Sequence, residues 1–201
     1  MGEPLEGTDT YLVRQQKEWG EILSGFECRN KYAITDESGR QLFYAAEIGG
    51  STIKRLFLTS QRPWTIHILD PQEQKVLEIK RPFRWYFHEV EILDPGGRSL
   101  GRIRRRWSWI RRMYDVYDEN GQTVAELFGP ILHPWTFEIR RDGRAIGKIS
   151  KKWSGLGKEM FTKADNFGVT FPSSLDTPDK SRLLGAVFLI DFVHFEKNNN
   201  N

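Results

Sequence analysis

The densest chemistry in the chain lies between Arg102 and Arg112, where Arg102, Arg104, Arg105, Arg106, Arg111 and Arg112 interleave with Ile103, Trp107, Trp109 and Ile110. Planar guanidinium groups pair bidentately with phosphate oxygens, and tryptophan suits a boundary that is apolar on one side and wet on the other. Cations close to an anionic leaflet gain about 1 kcal/mol each. Three readings stand, in order of expectation. The first is a hairpin whose arginines are solvated or paired with the chain's own acids. The second is a dock for an anionic membrane surface. The third is a grip on nucleic-acid phosphates, with tryptophan stacking on bases. A second cluster, Trp85-Tyr86-Phe87, sets three aromatics in a row. Alternation cannot bury all three, so at least one faces outward, as an interfacial anchor or under a covered rim.

A carboxylate, Asp191, interrupts an otherwise apolar segment from Leu183 to Phe195 that includes Leu184, Val187, Phe188 and Ile190. A buried carboxylate must be paired or protonated, which favours a structural polar contact over lipid or ion handling. The thirteen residues would reach about 20 Å as a helix, short of the roughly 30 Å hydrocarbon core. Apolar nearly all round, the segment is expected to be a helix buried within protein.

Other chemistry is excluded on residue types. The lone Cys28 allows neither an internal disulfide nor a multi-cysteine metal site. His67, His88, His133 and His194 contain no pair at i, i+4. No glycine-rich phosphate loop follows a strand and no nucleophile elbow occurs, so covalent catalysis is not expected and the residues themselves call for no firm cofactor. Residues 1–30 contain no apolar stretch resembling a leader. A reducing, cytoplasmic setting with peripheral membrane association, and a monomer, are the expectations.

The elements that must position these groups are mostly strands. The chain has 201 residues, 38% hydrophobic and 28% charged, with 13 Phe, 7 Trp and 6 Tyr, enough for one sizeable core. Thirty Lys+Arg against 27 Asp+Glu leave only +3, so any strong field must come from clustering. Alternating segments such as Trp64–Leu69 and Lys75–Lys80 are separated by Asp36-Glu37-Ser38-Gly39, Asp94-Pro95-Gly96-Gly97, Asp118-Glu119-Asn120-Gly121 and Arg141-Asp142-Gly143, all turn formers. Asp70, Val76, Glu78 and Pro82 recur 48 positions later as Asp118, Val124, Glu126 and Pro130. Gly97-Arg98, Gly101, Ile103, Trp107 and Ser108 recur 46 later as Gly143-Arg144, Gly147, Ile149, Trp153 and Ser154. Two units of about four strands are too few for a solenoid, so closure into one barrel, filled by 183–195, is the better solution. The expected division is an N-terminal segment 1–29 with a weak helical pattern over Tyr11–Leu23, a barrel domain 30–196, and a disordered tail 197–201.

Asn30-Lys31-Tyr32, Tyr44-Ala45-Ala46-Glu47, Gly147–Gly155, Ala164–Pro172 and Gly185–Phe192, in that order, closely resemble the phospholipid scramblase family. The resemblance implies a tubby-like fold, a closed twelve-stranded β-barrel around a central C-terminal hydrophobic helix, all-β apart from that helix. It implies ATP-independent, calcium-stimulated movement of phospholipid between leaflets, or phospholipid binding at a membrane surface. The alternative is a tubby-like cytosolic binding module, for an anionic headgroup, a protein or a nucleic acid, without transport. Where animal members carry a lipidated cysteine run, this sequence reads Arg84-Trp85-Tyr86-Phe87-His88, as in the short, cysteine-poor bacterial-type members. The family's calcium loop maps onto Lys163–Ser174, with Asp165 third and Gly168 sixth, where a tight turn is expected. Its first and last places, Lys163 and Ser174, lack the acids that a hard dication needs, so Ca2+ binding through Asp165 is not expected.

Overall fold

In strand β4 (Trp64–Leu69), Trp64, Ile66 and Ile68 are buried while Thr65 and His67 are only half so. That period-two pattern builds the whole wall. A computed structural model describes residues 7–16, 28–48, 63–83, 88–151, 166–172 and 174–195. The strands are β1 (Thr10–Gln16), β2 (Cys28–Thr35), β3 (Gln41–Ile48), β4, β5 (Lys75–Arg81), β6 (Glu89–Leu93), β7 (Ser99–Arg106), β8 (Arg112–Tyr117), β9 (Thr123–Gly129), β10 (Thr136–Arg141), β11 (Arg144–Ser150) and β12 (Asn166–Thr170). Among the described residues these twelve form a closed barrel with every neighbouring pair antiparallel, β12 returning to β1. Helix α1 (Thr177–His194) runs through its centre, six residues longer at its start than its apolar stretch.

The expected helix over Tyr11–Leu23 is overturned for the part described. Thr10–Gln16 is a strand, paired with β2 on one side and β12 on the other. The barrel therefore begins inside the segment 1–29 that was set apart from it. The reason is closure: without β1, the edges of β2 and β12 would stay unpaired.

The twofold repeat is structural. Its units are β4–β7 and β8–β11, and they share devices as well as strands. Asp70 Oδ1 accepts from the amides of Gln72 (2.9 Å) and Gln74 (2.8 Å), and Asp118 Oδ1 does the same for Asn120 (3.0 Å) and Gln122 (2.7 Å). Each short turn is followed by a bulge with one extra aliphatic residue, Val76, Leu100, Val124 or Ile146, and Leu42 does likewise outside the repeat. A bulge directs an extra side chain toward the core and sharpens strand twist. The repeat partners Gly101 and Gly147 allow backbones to touch. A Cβ would lie 2.2 Å from the Tyr117 carbonyl oxygen at the first and 2.1 Å from that of Thr170 at the second.

The helix fits because it has no polar face to hide. Leu183, Leu184, Ala186, Val187, Phe188, Leu189, Ile190 and Phe192 are all buried. Trp64 stacks on Phe192 at 4.5 Å, and the Tyr32 and Phe188 rings meet edge-on at 5.2 Å. Gly185 lets α1 approach β6, since a Cβ there would sit 2.9 Å from Ile92. Asp191 accepts from the Tyr32 hydroxyl at 3.3 Å, a structural polar contact. At the helix start the Asp176 side chain accepts from the Asp179 amide at 2.8 Å. Arg182, almost fully buried, donates to Leu100 O (2.6 Å), Asp179 (2.6 Å) and Glu119 (2.9 Å), while Asp179 also meets Arg141 at 2.5 Å. These contacts fix the helix N-terminus at the short-turn end, so its C-terminus emerges among the longer loops.

Leu189 is fully buried in this plug. Leu189→Ala is expected to cost about 2–5 kcal/mol. Leu189→Asp is expected to abolish the folded barrel, because an unpaired buried charge exceeds most of a domain's net stability. Urea unfolding followed by circular dichroism checks both.

Candidate functional site

The six arginines do not share a face. Alternation along β7 sends Arg102 and Arg104 to the outer wall, where both are exposed. There Arg102 lies over the Tyr117 ring at 5.1 Å, and Arg104 Nε is 3.8 Å from Glu89. Arg106 is bound to Asp115 through two hydrogen bonds and to Glu126 at 2.6 Å. Arg105 takes the inward position of Ile103 and Gly101. Arg112 donates to the carbonyls of Pro134 (2.5 Å), Pro130 (3.1 Å) and His133 (3.3 Å), and packs over Phe137 at 4.7 Å. Arg111 alone stays at the loop tip, over the Phe128 ring at 5.6 Å. The six arginines thus form no single strip, because successive strand residues face opposite ways and Arg106 and Arg112 have structural work.

A different feature gathers at the loop end. The exposed large hydrophobics among the described residues are Phe83, Trp107, Trp109, Ile110, Ile131, Leu132 and Trp135. All seven lie on the β5–β6, β7–β8 and β9–β10 connections, which emerge at the same end of the barrel. Trp109 is 86% exposed and Leu132 88%, far beyond scattered surface residues. Trp107 and Trp109 meet edge-on at 5.1 Å, so the first loop presents a paired aromatic knob. The β9–β10 loop is held rigid from below by Arg112, and Trp135 stacks on Phe195 at 5.7 Å, which joins it to the end of α1. Trp107 and Trp109 were legible as candidates; Ile131, Leu132 and Trp135 were not singled out. Their signal was the repeat, since Pro130 answers Pro82 and the loop after Pro82 carries the Trp85-Tyr86-Phe87 cluster. Trp85, Tyr86, Phe87 and Asp165 lie outside the described residues.

Beneath the loops, His194 Nε2 lies 2.8 Å from the Tyr114 hydroxyl. Burial pushes the His194 pKa down to about 3, helped by the positive field of Arg105, Arg112 and His88. Burial likewise pushes Tyr114 up. Both are neutral near pH 7, so one of the pair donates and the other accepts according to the imidazole tautomer.

Of the calcium-loop segment, residues 166–172 and Ser174 are among those described. Asn166–Thr170 is extended and in register with both β1 and β11, with Gly168 opposite Leu12 and Ser150. The tight turn expected at Gly168 is therefore replaced by a strand, whose backbone serves two ladders instead of curling round an ion. Among the described residues no three His, Cys, Asp or Glu side chains converge on a common point.

Two outcomes follow. Arg106→Gln is expected to lower stability by about 1–2 kcal/mol and Arg104→Gln by at most about 0.5 kcal/mol, since only the first breaks a multiply bonded network; thermal melts compare them. Because the folded-state pKa of His194 is depressed, the unfolded chain binds the extra proton, and stability falls as pH drops from about 6.5 toward 3. His194→Gln is expected to remove up to about 1.4 kcal/mol per pH unit of that slope, read from urea midpoints between pH 7 and 5.

The sequence model of the Scramblase family matches residues 2–197. The chain is 36% identical over 212 residues to rat (Rattus norvegicus) phospholipid scramblase 1, covering 98% of this chain and 63% of the rat protein. It is 36% identical over 208 residues to Bos taurus phospholipid scramblase 2, covering 96% and 71%. A phospholipid scramblase family protein of Schizosaccharomyces pombe is 29% identical over 184 residues, covering 85% and 48%. The chain thus spans less than two thirds of the rat relative's length. Among solved structures, the X-ray structure of an Arabidopsis thaliana protein aligns over 94% of this chain and 96% of its own, with a TM-score of 0.50 at 13% identity. That likeness concerns the fold alone.

Proposed function

The chain belongs to the scramblase family, and from that premise we propose that it docks on phospholipid membranes by the loop end of its barrel and handles phospholipid there, without covalent chemistry. The observation that carries this reading is the gathering of all seven exposed large hydrophobics among the described residues on three adjacent loops at one end. Fully burying one such side chain is worth about 1.5–3 kcal/mol, so even partial insertion of Trp109, Ile110 and Leu132 suffices for reversible attachment. The outer wall supports a peripheral geometry. Strands β5, β6, β7 and β10 turn Lys80, Glu91, Arg102, Arg104 and Glu138 outward, where a lipid-facing barrel needs an apolar band. Helix α1 is enclosed, and no helix among the described residues is long and apolar enough to cross a membrane.

Movement of phospholipid between leaflets is the activity that the relatives' names suggest. The enclosed plug also favours a second reading, headgroup binding at the surface without transport. Flotation with vesicles of phosphatidylcholine alone, and with added phosphatidylserine, tests docking. Trp109→Ser with Leu132→Ser is expected to reduce the bound fraction at least tenfold, with the melting temperature unchanged. Arg102→Gln with Arg104→Gln is expected to have a smaller, salt-sensitive effect. Equal flotation of the Trp109/Leu132 variant would defeat the docking reading. Reconstitution with a fluorescent phospholipid and an impermeant quencher then separates transport from binding.

A further inference from the structure

We propose that the inner rim of the loop end binds a phosphate group, held by a basic arc of Arg81, His88, Arg105 and Arg112 with Arg105 as its principal ligand. The arc comes from the last inward position on each of four consecutive strands, staggered along the register, with Arg105 opposite Tyr114 and Arg112 one inward position further out. On β5, Leu77 and Ile79 face inward and Arg81 follows them; on β7, Gly101 and Ile103 face inward and Arg105 follows. On β8, Arg112 shares the face of Tyr114 and Val116. His88 precedes β6 on the face of Val90 and Ile92, and its carbonyl accepts from the Arg105 amide at 2.8 Å. On each of these strands the inward positions deeper in the barrel are aliphatic, glycine or, at Tyr114, aromatic, and the last inward position is a base.

Neighbouring groups make the arc continuous. Arg81 donates to His88 Nδ1, so the neutral ring carries its N–H on Nε2. Arg112 spends its donors on the β9–β10 loop carbonyls, so it contributes field and fixed position. Arg105 is only partly buried, donates no side-chain hydrogen bond and forms no ion pair among the described residues. The positive field of Arg105, Arg112 and Arg81 acts on the Tyr114 hydroxyl, and that of Arg105, Arg112 and His88 on His194. The C-terminus of α1 points at this rim, but a helix end offers only roughly half a negative charge. That cannot balance Arg105 and Arg112, neither of which has a carboxylate partner among the described residues. At the other end of the barrel, by contrast, Arg141 and Arg182 are matched by Asp179 and Glu119. A planar guanidinium with its donors unused, in a partly desolvated rim, is suited to the oxygens of a phosphate ester.

Two sources could supply that group: the phosphodiester of a phospholipid whose chains meet the apolar loops above, or a soluble phosphate ester. The lipid source rests on the docking reading; the site itself does not. Calorimetry on the full chain compares inorganic phosphate, glycerophosphoserine and dihexanoyl phosphatidylserine below its micellar concentration. The expected result is saturable binding that Arg105→Gln weakens at least tenfold, while Arg111→Gln, at the same end but outside the rim, changes it less than twofold. Arg105→Gln without ligand is expected to melt at or above the wild-type temperature, because it relieves repulsion; a fall would assign Arg105 to the scaffold and overturn the proposal. Short-chain lipid binding at least tenfold tighter than glycerophosphoserine identifies the lipid source, and equal binding identifies a soluble ester. No binding of any of the three, or equal binding by Arg105→Gln, overturns the site. Glycerophosphoserine binding retained by the Trp109/Leu132 variant, alongside lost flotation, separates the site from docking. Retained flotation with absent phosphate binding would remove the site and leave docking intact.

Discussion

A twelve-stranded barrel has a lumen that must be filled, and here a single helix fills it. A helix apolar on every side has no stable place in water, and the wall closes only when its inward rungs have something to pack against. Wall and plug are therefore one cooperative unit. The plug also has a direction. Asp176 caps its start, and Arg182, Asp179, Arg141 and Glu119 tie that start to the short-turn end. Once the N-terminus is fixed there, Phe192, His194 and Phe195 are delivered to the opposite mouth, where they meet Trp64, Tyr114 and Trp135.

This asymmetry divides the labour between the ends. At the short-turn end, aspartates at the same place in successive turns accept the same pair of backbone amides, and each following strand bulges at an aliphatic residue. Such turns are two to five residues long and fixed by hydrogen bonds, so they leave little room for variation. The large exposed apolar residues among the described residues are found instead on the longer connections, anchored from below by groups such as Arg112. Function on loops borne by a rigid frame is the general solution.

Much of this was legible before any coordinates. Alternation gave the wall, the 46–48-residue recurrence gave its units, and a segment too short to cross a bilayer gave the plug. What escaped was non-local. Tyr11 and Val13 alternate as well as they follow a helical period, and what decides for a strand is pairing with Phe167 and Val169, far along the chain. The arginine cluster misled for the opposite reason. Charge density was counted along the chain, whereas strand geometry sends Arg104 and Arg106 outward and Arg105 inward. Ile131 and Leu132 lie between two prolines with no alternation to mark them, and only the comparison with the repeat partner loop points to them as a surface.

The rim between loops and plug follows from the same geometry. Along β5, β7 and β8 the inward face changes to a base at its last position, beside a neutral tyrosine–histidine pair and the end of the helix. Core packing alone asks for aliphatic residues there, as at Ile79 and Ile103 one rung deeper. Solvation alone would turn long cationic side chains outward, as Arg102 and Arg104 are turned. Arg105 satisfies neither demand. Its inward position is set by register with Tyr114 across the β7–β8 pair, and a slip of one residue that exposed it would bring Arg104 and Arg106 inside and break the Arg106 network with Asp115 and Glu126. The ion pairs on the outer wall thus hold a cation on the inner one, so the charged surface of the barrel and the chemistry of its mouth are set by a single strand register.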